Sequence, residues 1–436
     1  MGLLSNLSLT LLVFLFSVSV ISSEDCTNRR IYIRKLPAQF NGDLLHRQTL
    51  TNPFLSPNSL FPHLSFNGIG PKTHKRTHSW YRTDHHLIEP FFHRRLLEYP
   101  CLVSDHKSAD AIFLPYYVGL DSLRFLYASE DGDVDVNGHG LDLFQFLIND
   151  SPEIWKRRGG ADHFLVTGRS SWDFSRSPLN KEEWGTTFLE SPEFFNVTLL
   201  TPEARRWPWQ EQAIPYLTSF HPASLIRFQN WITRAHHSNR STLMLFAGSG
   251  RGSGGGASGS GGDKINIRRS IYEECDSQPE LCTLIDCSNA KCSDEPIRFI
   301  HPMLHSTFCL HPPGDTPTRR GVFDGMIAGC IPVFFDEMTA KKQYTWHLGG
   351  DDDYEDFSVF IPKEDILFGG QQIADILGKI TEESVGRMRE SVLKLVPTIF
   401  YRRHGASPEL KANRDAFDLA VDGVLKKILF KPSMDI

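Results

Sequence analysis

Apolar residues along 308–335 change from the spacing of a strand to that of a helix and back to that of a strand. The first three residues are an apolar run that proline and glycine stop. The next apolar side chains share one helical face, which is made by Val322, Phe323, Met326 and Ile327. We predict that this helix is capped by Asp315 or Thr316, has Pro317 at its first position and ends at a glycine. Residues 331–335 then form a short apolar run of the kind that a parallel sheet buries.

The same alternation of strand and helix signals continues through most of the chain. Short β-like runs predict strands at 29–36, 111–117, 163–167, 195–201 and 242–247. Helical spacing of apolar residues predicts helices at 84–96, 141–149, 223–237, 373–403 and 415–429. This alternation is typical of α/β proteins, in which helices cover a parallel sheet. A polar break at 238–241 indicates a boundary between two domains.

Two cations lie where a plain helix disfavours them. Arg319 and Arg320 fall in the first turn of the predicted helix, at the positive end of its dipole. A bound anion would remove that cost, because free backbone N–H groups and two guanidinium groups would hold it together. Asp324, about one turn further along, can accept hydrogen bonds from ribose hydroxyls. The alternative is a surface ion pair between Arg320 and Asp324, worth a few tenths of a kcal/mol.

Two segments of unusual composition carry weaker signals. Residues 248–262 are rich in Gly and Ser and directly follow a predicted strand, as a phosphate-binding loop would. They lack the G-x-x-x-x-G-K-[ST] pattern, so a flexible surface loop is the better interpretation. The acidic run 351–353 follows two glycines, and we interpret it as solvated surface rather than as a metal site.

The stretch 314–335 reads G-D-T-P-T-R-R-G-V-F-D-G-M-I-A-G-C-I-P-V-F-F. It resembles the donor-site signature of the exostosin-like glycosyltransferases, family 47, and more narrowly the plant branch that includes xyloglucan galactosyltransferases. Further similar stretches are Cys26 with 31–36, 81–96, 109–120, 160–174 and 214–222. The resemblance therefore extends over nearly all of the chain after its N-terminal apolar segment.

This resemblance implies the arrangement called GT-B, an α/β fold in which two Rossmann-like domains face each other across a cleft. We expect an acceptor-binding domain at 26–237, a UDP-sugar-binding domain at 238–404 and a C-terminal helical segment at 405–436. Residues 1–25 would precede them as a membrane anchor. The apolar run at 9–21 also fits a cleaved signal peptide, and the resemblance favours a type II Golgi anchor with the catalytic domain in the lumen.

The activity implied by the resemblance is inverting transfer of galactose from UDP-galactose to xylosyl side chains of xyloglucan, with no metal ion or other cofactor. The implied partners are the donor, xyloglucan or a related polysaccharide, the Golgi membrane and complexes with other wall transferases. One alternative is a related transferase that moves galacturonic acid, arabinose or xylose onto a wall polysaccharide. Another is a catalytically silent glycan-binding subunit of a transferase complex, which would keep the fold and lose the base or the arginine pair.

Candidate site residues follow from the resemblance and from positions at strand ends. The donor is assigned to Arg251, Arg268, Gly314, Asp315, Thr316, Arg319, Arg320 and Asp324. An inverting reaction also needs a general base. Asp173 is the first candidate, because it follows the buried strand 163–167 and ligands bind beyond the carboxyl ends of such strands. His163 and Asp84 are further candidates, and the alternative for Asp173 is a structural ion pair with Arg169.

Composition narrows the class of protein further. The chain has 436 residues, a net charge of −6 and a pI near 6.3, and it lacks a long Lys/Arg run, so nucleic acid is not an expected partner. Its eight cysteines, and N-x-[ST] sequons at Asn149, Asn196 and Asn239, fit an oxidising lumen. We expect Cys26 to pair with Cys101 and the cysteines of 275–292 to close a stapled loop. A zinc knuckle is the alternative for that loop, although its spacing fits no standard zinc pattern.

Overall fold

The structure, a computed structural model, describes residues 25–45, 68–73, 79–126, 135–180, 183–205, 207–249, 266–287, 292 and 296–431. These residues form two parallel sheets covered by helices, so the fold is α/β as predicted. Within these ranges, no helix has the length and apolar character needed to span a bilayer. The predicted anchor falls on 1–25, of which 1–24 lie outside the described residues.

The first sheet contains six parallel strands in the order β2-β1-β3-β4-β5-β6. They are β1 Ile31–Ile33, β2 Leu102–Val103, β3 Ala111–Phe113, β4 His163–Val166, β5 Thr198–Thr201 and β6 Glu211–Ala213. The apolar runs predicted four of these strands. The two that they did not predict, β2 and β6, are short edge strands, which pairing with a neighbour stabilises more than their own sequence does.

The second sheet contains five parallel strands in the order β11-β10-β9-β7-β8. They are β7 Thr242–Gly248, β8 Cys282–Asp286, β9 Ser306–His311, β10 Ile331–Phe334 and β11 Val359–Phe360. The strand order reverses between β1 and β3 in the first sheet and between β7 and β9 in the second: the chain first adds a strand on one side and then continues on the other. In open parallel sheets, the carboxyl ends of the strands at such a reversal form a crevice where ligands bind.

The helices cover the faces of both sheets. In chain order they are α1 Ile88–Leu96, α2 Val118–Asp121, α3 Leu123–Leu126, α4 Leu141–Asp150, α5 Pro152–Lys156, α6 Leu225–His237, α7 Ile267–Ser277, α8 Ile297–Leu304, α9 Gly321–Ile327, α10 Thr345–Leu348, α11 Lys363–Leu367, α12 Ile373–Leu377, α13 Glu382–Ile399, α14 Pro408–Lys411 and α15 Ala416–Phe430. The helix predicted at 373–403 is divided into α12 and α13. Thr381 causes a new start, because its side chain accepts the N–H of Ser384 and caps α13.

The helix of the stretch 308–335 begins later than predicted. Arg320 lies at the N-cap of α9, whereas the sequence pattern placed Pro317 at the first helical position. The reason is a tertiary contact: the backbone N–H of Thr318 donates to the buried Glu203 carboxylate at 2.7 Å, which holds this segment outside the helix. The end is as predicted, because Gly329 has a φ of 69° and terminates the helix without strain.

The C-terminal helix α15 packs on the first sheet. The ring of Phe417 lies 4.6 Å from that of Phe92, and a series of apolar residues on α15 continues the same core. Asp415 caps the helix and forms an ion pair with Arg95 of α1 at 2.8 Å, with both side chains buried. The chain therefore returns to the first sheet after it has completed the second.

Disulfides account for all eight cysteines. Cys26 pairs with Cys101, as predicted. The cysteines of 275–292 also close loops, through the pairs Cys275–Cys282 and Cys287–Cys292. The remaining bond joins Cys309 of β9 to Cys330, beside β10. No thiol is left to bind zinc, so the alternative of a zinc knuckle is wrong.

Candidate functional site

Two arginines, Arg268 and Arg319, lie where the strand order of the second sheet reverses. Among the described residues, neither of them forms an ion pair with a carboxylate. Arg268 of α7 donates from Nε to the Ser249 carbonyl at 3.2 Å, just beyond β7. Arg319 donates to Thr316 Oγ1 at 3.0 Å. Burial and then the charge of Arg319 lower the pKa of Arg268 to about 10, against an opposing effect of Asp315. Since the two cations are close enough to repel each other, a bound anion would stabilise both.

Gly314 leaves the space that the guanidinium of Arg319 occupies. A Cβ at this position would lie 1.7 Å from Nη2 of Arg319, so a side chain here excludes the observed position of Arg319. The N–H of Gly314 donates to the Thr316 carbonyl at 3.0 Å, which closes a tight turn after β9. The predicted donor residues Gly314, Thr316, Arg319 and Arg268 are thus brought together at one sheet edge.

Arg320 is bonded within the protein through all three of its nitrogen atoms. Nε donates to Asp324 Oδ2 at 3.0 Å, Nη1 to the Thr83 carbonyl at 2.7 Å, and Nη2 to Ser219 Oγ at 2.6 Å. Asp324 is only 2% exposed, and burial raises its pKa although Arg320 opposes the shift. The ion pair that the sequence offered as an alternative therefore exists. It is buried rather than on the surface, and Arg320 extends it to the loops of the first sheet.

Glu203 is a site residue that the sequence pattern did not reveal. It follows β5, is fully buried and accepts hydrogen bonds from both the backbone N–H and the hydroxyl of Thr318. The Thr318 hydroxyl also lies 2.9 Å from that of Tyr216. Glu203 thus holds the backbone next to Arg319 from the side of the first sheet. The only hint in the sequence is an acidic residue after a predicted strand, which is too common to be distinctive.

A histidine-rich turn follows Asp84 on the first-sheet side. Asp84 Oδ1 accepts the backbone N–H of His86 at 3.0 Å and lies 2.8 Å from its ring Nδ1. Burial alone would raise the pKa of Asp84, but His86, with His85 beyond it, holds that pKa well below its usual range. The ring centres of His85 and His86 lie 4.0 Å apart, with the ring planes tilted by 33°. The turn therefore orders a carboxylate and two imidazoles beside one another.

The donor atoms of this turn are also close enough to hold a metal ion. Those of Asp84, His85 and His86 lie within 4.8 Å of one another, and no other such group occurs in the described ranges. Burial and then His86 keep the pKa of His85 well below its usual value, and Arg320 and Arg169 add to this effect. The nearby arginine charges disfavour a bound cation for the same reason that they disfavour a protonated imidazole.

Asp173 lies in a short 3₁₀ turn beyond β4, where the sequence placed it. Its Oδ2 accepts from Arg169 Nε at 2.8 Å, and its Oδ1 accepts from Trp184 Nε1 at 2.7 Å. The structural ion pair with Arg169 is therefore present. Both carboxylate oxygens are already hydrogen-bonded, so Asp173 positions Arg169 and Trp184 in this conformation.

One predicted residue, His163, is not brought to this part of the structure. His163 is the first residue of β4 and is completely buried, with Nδ1 2.7 Å from Asp162 Oδ1. It begins β4, whereas Arg169 lies beyond the last residue of that strand, so His163 is at the opposite, amino edge of the sheet. Arg251 lies outside the described residues.

The acidic run 351–353 forms a 3₁₀ turn. Asp353 in this turn is exposed, and its carboxylate accepts a hydrogen bond from the Gly350 N–H at 2.7 Å.

Comparison with known families identifies the class of protein that carries this site. A sequence model of the family described as "Exostosin GT47 domain" matches residues 25–376. The chain belongs to the exostosin family of glycosyltransferases. Probable xyloglucan galactosyltransferase GT19 of Arabidopsis thaliana is 54% identical over 94% of this chain and 93% of that protein. Xyloglucan-specific galacturonosyltransferase 1 of the same plant is 34% identical over 92% of this chain and 58% of its own length.

In this exostosin-family glycosyltransferase, the predicted residues and their neighbours fall into two groups and a connection between them. The second-sheet group is Arg268, Gly314, Asp315, Thr316 and Arg319. The first-sheet group is Asp84 and Asp173, with His85, His86 and Arg169 beside them. Arg320, with its partner Asp324, and Glu203 link the two groups through hydrogen bonds.

Proposed function

We propose that this glycosyltransferase transfers galactose from UDP-galactose to xylosyl side chains of xyloglucan, with inversion at the anomeric carbon. The observation that carries the proposal is the pair Arg268 and Arg319 at the reversal of the second sheet, a position and a charge that suit a diphosphate. The sugar and the acceptor are inferred from the relative that is 54% identical, which is named a probable xyloglucan galactosyltransferase.

We also propose that the two sheets belong to the Rossmann-like domains of a GT-B transferase, with the acceptor on the first and the donor on the second. The contacts from Thr318 to Glu203 and from Arg320 to Thr83 support this arrangement, because they join loops at the carboxyl edges of both sheets. Four disulfides support an oxidising compartment. We propose the Golgi lumen, a type II anchor at 1–25 and complexes with other wall transferases.

The proposed reaction needs two things from the protein. One is a base that removes the proton of the acceptor hydroxyl, so that its oxygen can attack the anomeric carbon from the face opposite UDP. The other is positive charge where the β-phosphate gains charge as its bond to the sugar breaks. Arg268 and Arg319 provide that charge in a partly buried site, where a charged hydrogen bond is stronger than in water.

A panel of donors tests the proposed function. The purified enzyme should transfer sugar to xyloglucan oligosaccharides from UDP-galactose faster than from UDP-galacturonic acid, UDP-arabinose or UDP-xylose. A preference for UDP-galacturonic acid would assign the activity named for the 34% identical relative instead. Absence of transfer from every donor, in a preparation that binds UDP, would favour a silent subunit.

Introducing a side chain at Gly314 should weaken donor binding. Gly314→Ala displaces the Arg319 guanidinium, and losing a charged hydrogen bond costs roughly 1.5–3 kcal/mol, about a 10- to 150-fold rise in the Kd for UDP. Gly321→Ala is the matched control, since the nearest atom to its Cβ is His311 Cε1 at an ordinary 3.7 Å. Equal UDP affinities in both variants, measured by calorimetry, would show that Arg319 does not contact the diphosphate.

Chelation should leave the activity intact. The proposed phosphate partners are arginine side chains, so turnover is expected to change less than about twofold after treatment with EDTA. Loss of turnover that Mn²⁺ restores would contradict this. The candidate ligands would then be Asp84, His85 and His86, whose donor atoms lie within 4.8 Å of one another, before the exposed acidic run.

A further inference from the structure

We propose that His86 is the general base of this transferase and that Asp84 is the residue that positions it. The inference rests on the proposed inverting reaction, which requires a base on the acceptor side. It assigns the role to an imidazole that sequence reasoning did not select, and it gives Asp84 a supporting role. Four observations support it: the geometry of the turn, its place in the site, the state of the competing carboxylates and the charges around it.

The turn fixes the proton on one nitrogen of His86. Asp84 caps the 3₁₀ turn His85–Leu87, and its Oδ1 accepts the His86 backbone N–H at 3.0 Å. The same oxygen lies 2.8 Å from His86 Nδ1. Because an ionised carboxylate can only accept, Nδ1 must carry the hydrogen, and Nε2 keeps its lone pair. An imidazole oriented by a carboxylate in this way is the arrangement that general bases use in other enzymes.

The turn lies at the carboxyl edge of the first sheet, against the residues after β4. A Cβ on Gly168 would lie 2.0 Å from the His86 carbonyl oxygen, so the two backbones touch. The ring of His85 is 5.4 Å from that of Tyr216, whose hydroxyl contacts Thr318 beside Arg319. His86 is about one third exposed, unlike the fully buried His163. It is therefore accessible to an acceptor at the junction with the donor side.

The other carboxylates that could act as the base, Asp173 and Glu89, already accept hydrogen bonds from groups of the protein. Both oxygens of Asp173 accept hydrogen bonds, from Arg169 and from Trp184, and a proton arriving there would break a charge-compensated pair. Glu89 is 1% exposed and accepts the backbone N–H of Gly119 at 2.6 Å. Burial raises its pKa to about 8, but an acceptor hydroxyl cannot reach it.

The charges around the turn separate the roles of its two imidazoles. Burial holds the pKa of His85 well below its usual value, and His86, Arg320 and Arg169 act in the same direction while Asp84 opposes them. His86 instead has the Asp84 carboxylate on its Nδ1 side, which stabilises the imidazolium that forms when Nε2 takes a proton.

The step balances without another reactant. The proton of the acceptor hydroxyl moves to His86 Nε2 while the hydroxyl oxygen forms its bond to the anomeric carbon. The bond between that carbon and the β-phosphate oxygen breaks, and UDP leaves with the electron pair, next to Arg268 and Arg319. His86 then releases its proton to solvent.

Replacing His86 tests the proposal. In His86→Gln, kcat should fall by roughly 10²–10⁴, the usual contribution of a general base, while the Kd for UDP and the melting temperature stay near those of the wild type. His237→Gln, on the exposed end of α6, is the matched control and should keep full activity. If His86→Gln does not fold, His86→Asn takes its place, and its kcat, Kd for UDP and melting temperature are measured in the same way.

Asp84→Asn tests the positioning role separately. Asn still caps the turn, but it no longer fixes the hydrogen of His86 on Nδ1 through a carboxylate. We therefore expect kcat to fall while the KM for the acceptor, the Kd for UDP and the melting temperature stay near those of the wild type. A kcat equal to that of the wild type, or a fall in kcat that comes with a lower melting temperature, would remove Asp84 from the proposal.

Three results would overturn the assignment of His86. One is a kcat within threefold of wild type in a folded His86 variant. Another is a 10²–10⁴ loss in Asp173→Asn that His86→Gln does not show, which would make Asp173 the base. The third is activity that requires Mn²⁺, which would make this turn a metal site. Wild-type protein that transfers no sugar at all would instead refute the proposed function.

Discussion

Arg95→Ala is expected to lower the free energy of unfolding by roughly 3–5 kcal/mol, the cost of removing one partner from a buried ion pair. Arg95 donates to both oxygens of Asp415, at 2.8 and 3.2 Å, and to the Arg402 carbonyl at 3.0 Å. Its guanidinium also lies 4.4 Å from the centre of the Phe417 ring. The substitution would therefore leave the buried Asp415 carboxylate, which caps the N-terminus of α15, with Arg402 as its remaining cation. Urea denaturation of the wild type and of Arg95→Ala measures the difference in the free energy of unfolding.

Arg387→Ala is the matched control for this experiment. Arg387 also forms an ion pair, with Glu383 on α13, but the two side chains are 64% and 83% exposed. Water and salt screen such a pair, so its loss should cost less than about 0.5 kcal/mol. If the two substitutions cost the same, the buried ion cluster does not fasten the C-terminal helix to the first sheet.

Arg319→Ala and Arg268→Ala should each weaken UDP binding by about 10- to 150-fold. This range corresponds to the roughly 1.5–3 kcal/mol that a charged hydrogen bond contributes. Both arginines lie at the reversal of the second sheet and have no carboxylate ion pair within the described ranges, so a phosphate is the partner that completes them. Calorimetric titration with UDP is the direct measurement, because it does not require the acceptor.

Arg269→Ala separates this effect from a general loss of positive charge. Arg269 is the next residue of α7, but it is exposed and pairs with Glu273 at 2.8 Å. Its removal should leave the Kd for UDP unchanged. Arg320→Ala is expected to differ from both, since its contacts with Thr83 and Ser219 join two sheets. It should lower the melting temperature more than Arg319→Ala does. UDP affinities that are normal in Arg319→Ala and Arg268→Ala would contradict the proposed donor site.

The contacts between the sheets link the loop proposed to bind the donor with the turn proposed to hold the base. Glu203 holds the backbone of Thr318, one residue from Arg319, and Arg320 reaches Thr83, one residue from Asp84. A displacement of the donor loop would therefore be transmitted to the turn that carries His86. This arrangement suits a reaction in which the acceptor hydroxyl and the anomeric carbon must be aligned to within a fraction of an ångström.

Patterns that depend on near neighbours in the chain were readable from the sequence. The apolar runs at 163–167 and 242–247 became β4 and β7, because a strand buried on both faces needs continuous apolar side chains. The stretch 314–335 indicated the family, which the comparison confirms, and Gly314 and Arg319, which it assigned to the donor, lie against each other beyond β9. The helix predicted at 84–96 became a 3₁₀ turn capped by Asp84 and followed directly by α1.

Other features depend on partners far away in the chain, which no local pattern contains. Whether Arg320 contacts a ligand or the protein is decided by Thr83 and Ser219, more than 100 residues before it. The late start of α9 depends on Glu203, whose carboxylate takes the Thr318 N–H at a separation of 115 residues. Local propensity differs by only a few tenths of a kcal/mol between such choices, whereas a buried charged hydrogen bond contributes more than 1 kcal/mol. The tertiary contact therefore decided both, and with them the shape of the site.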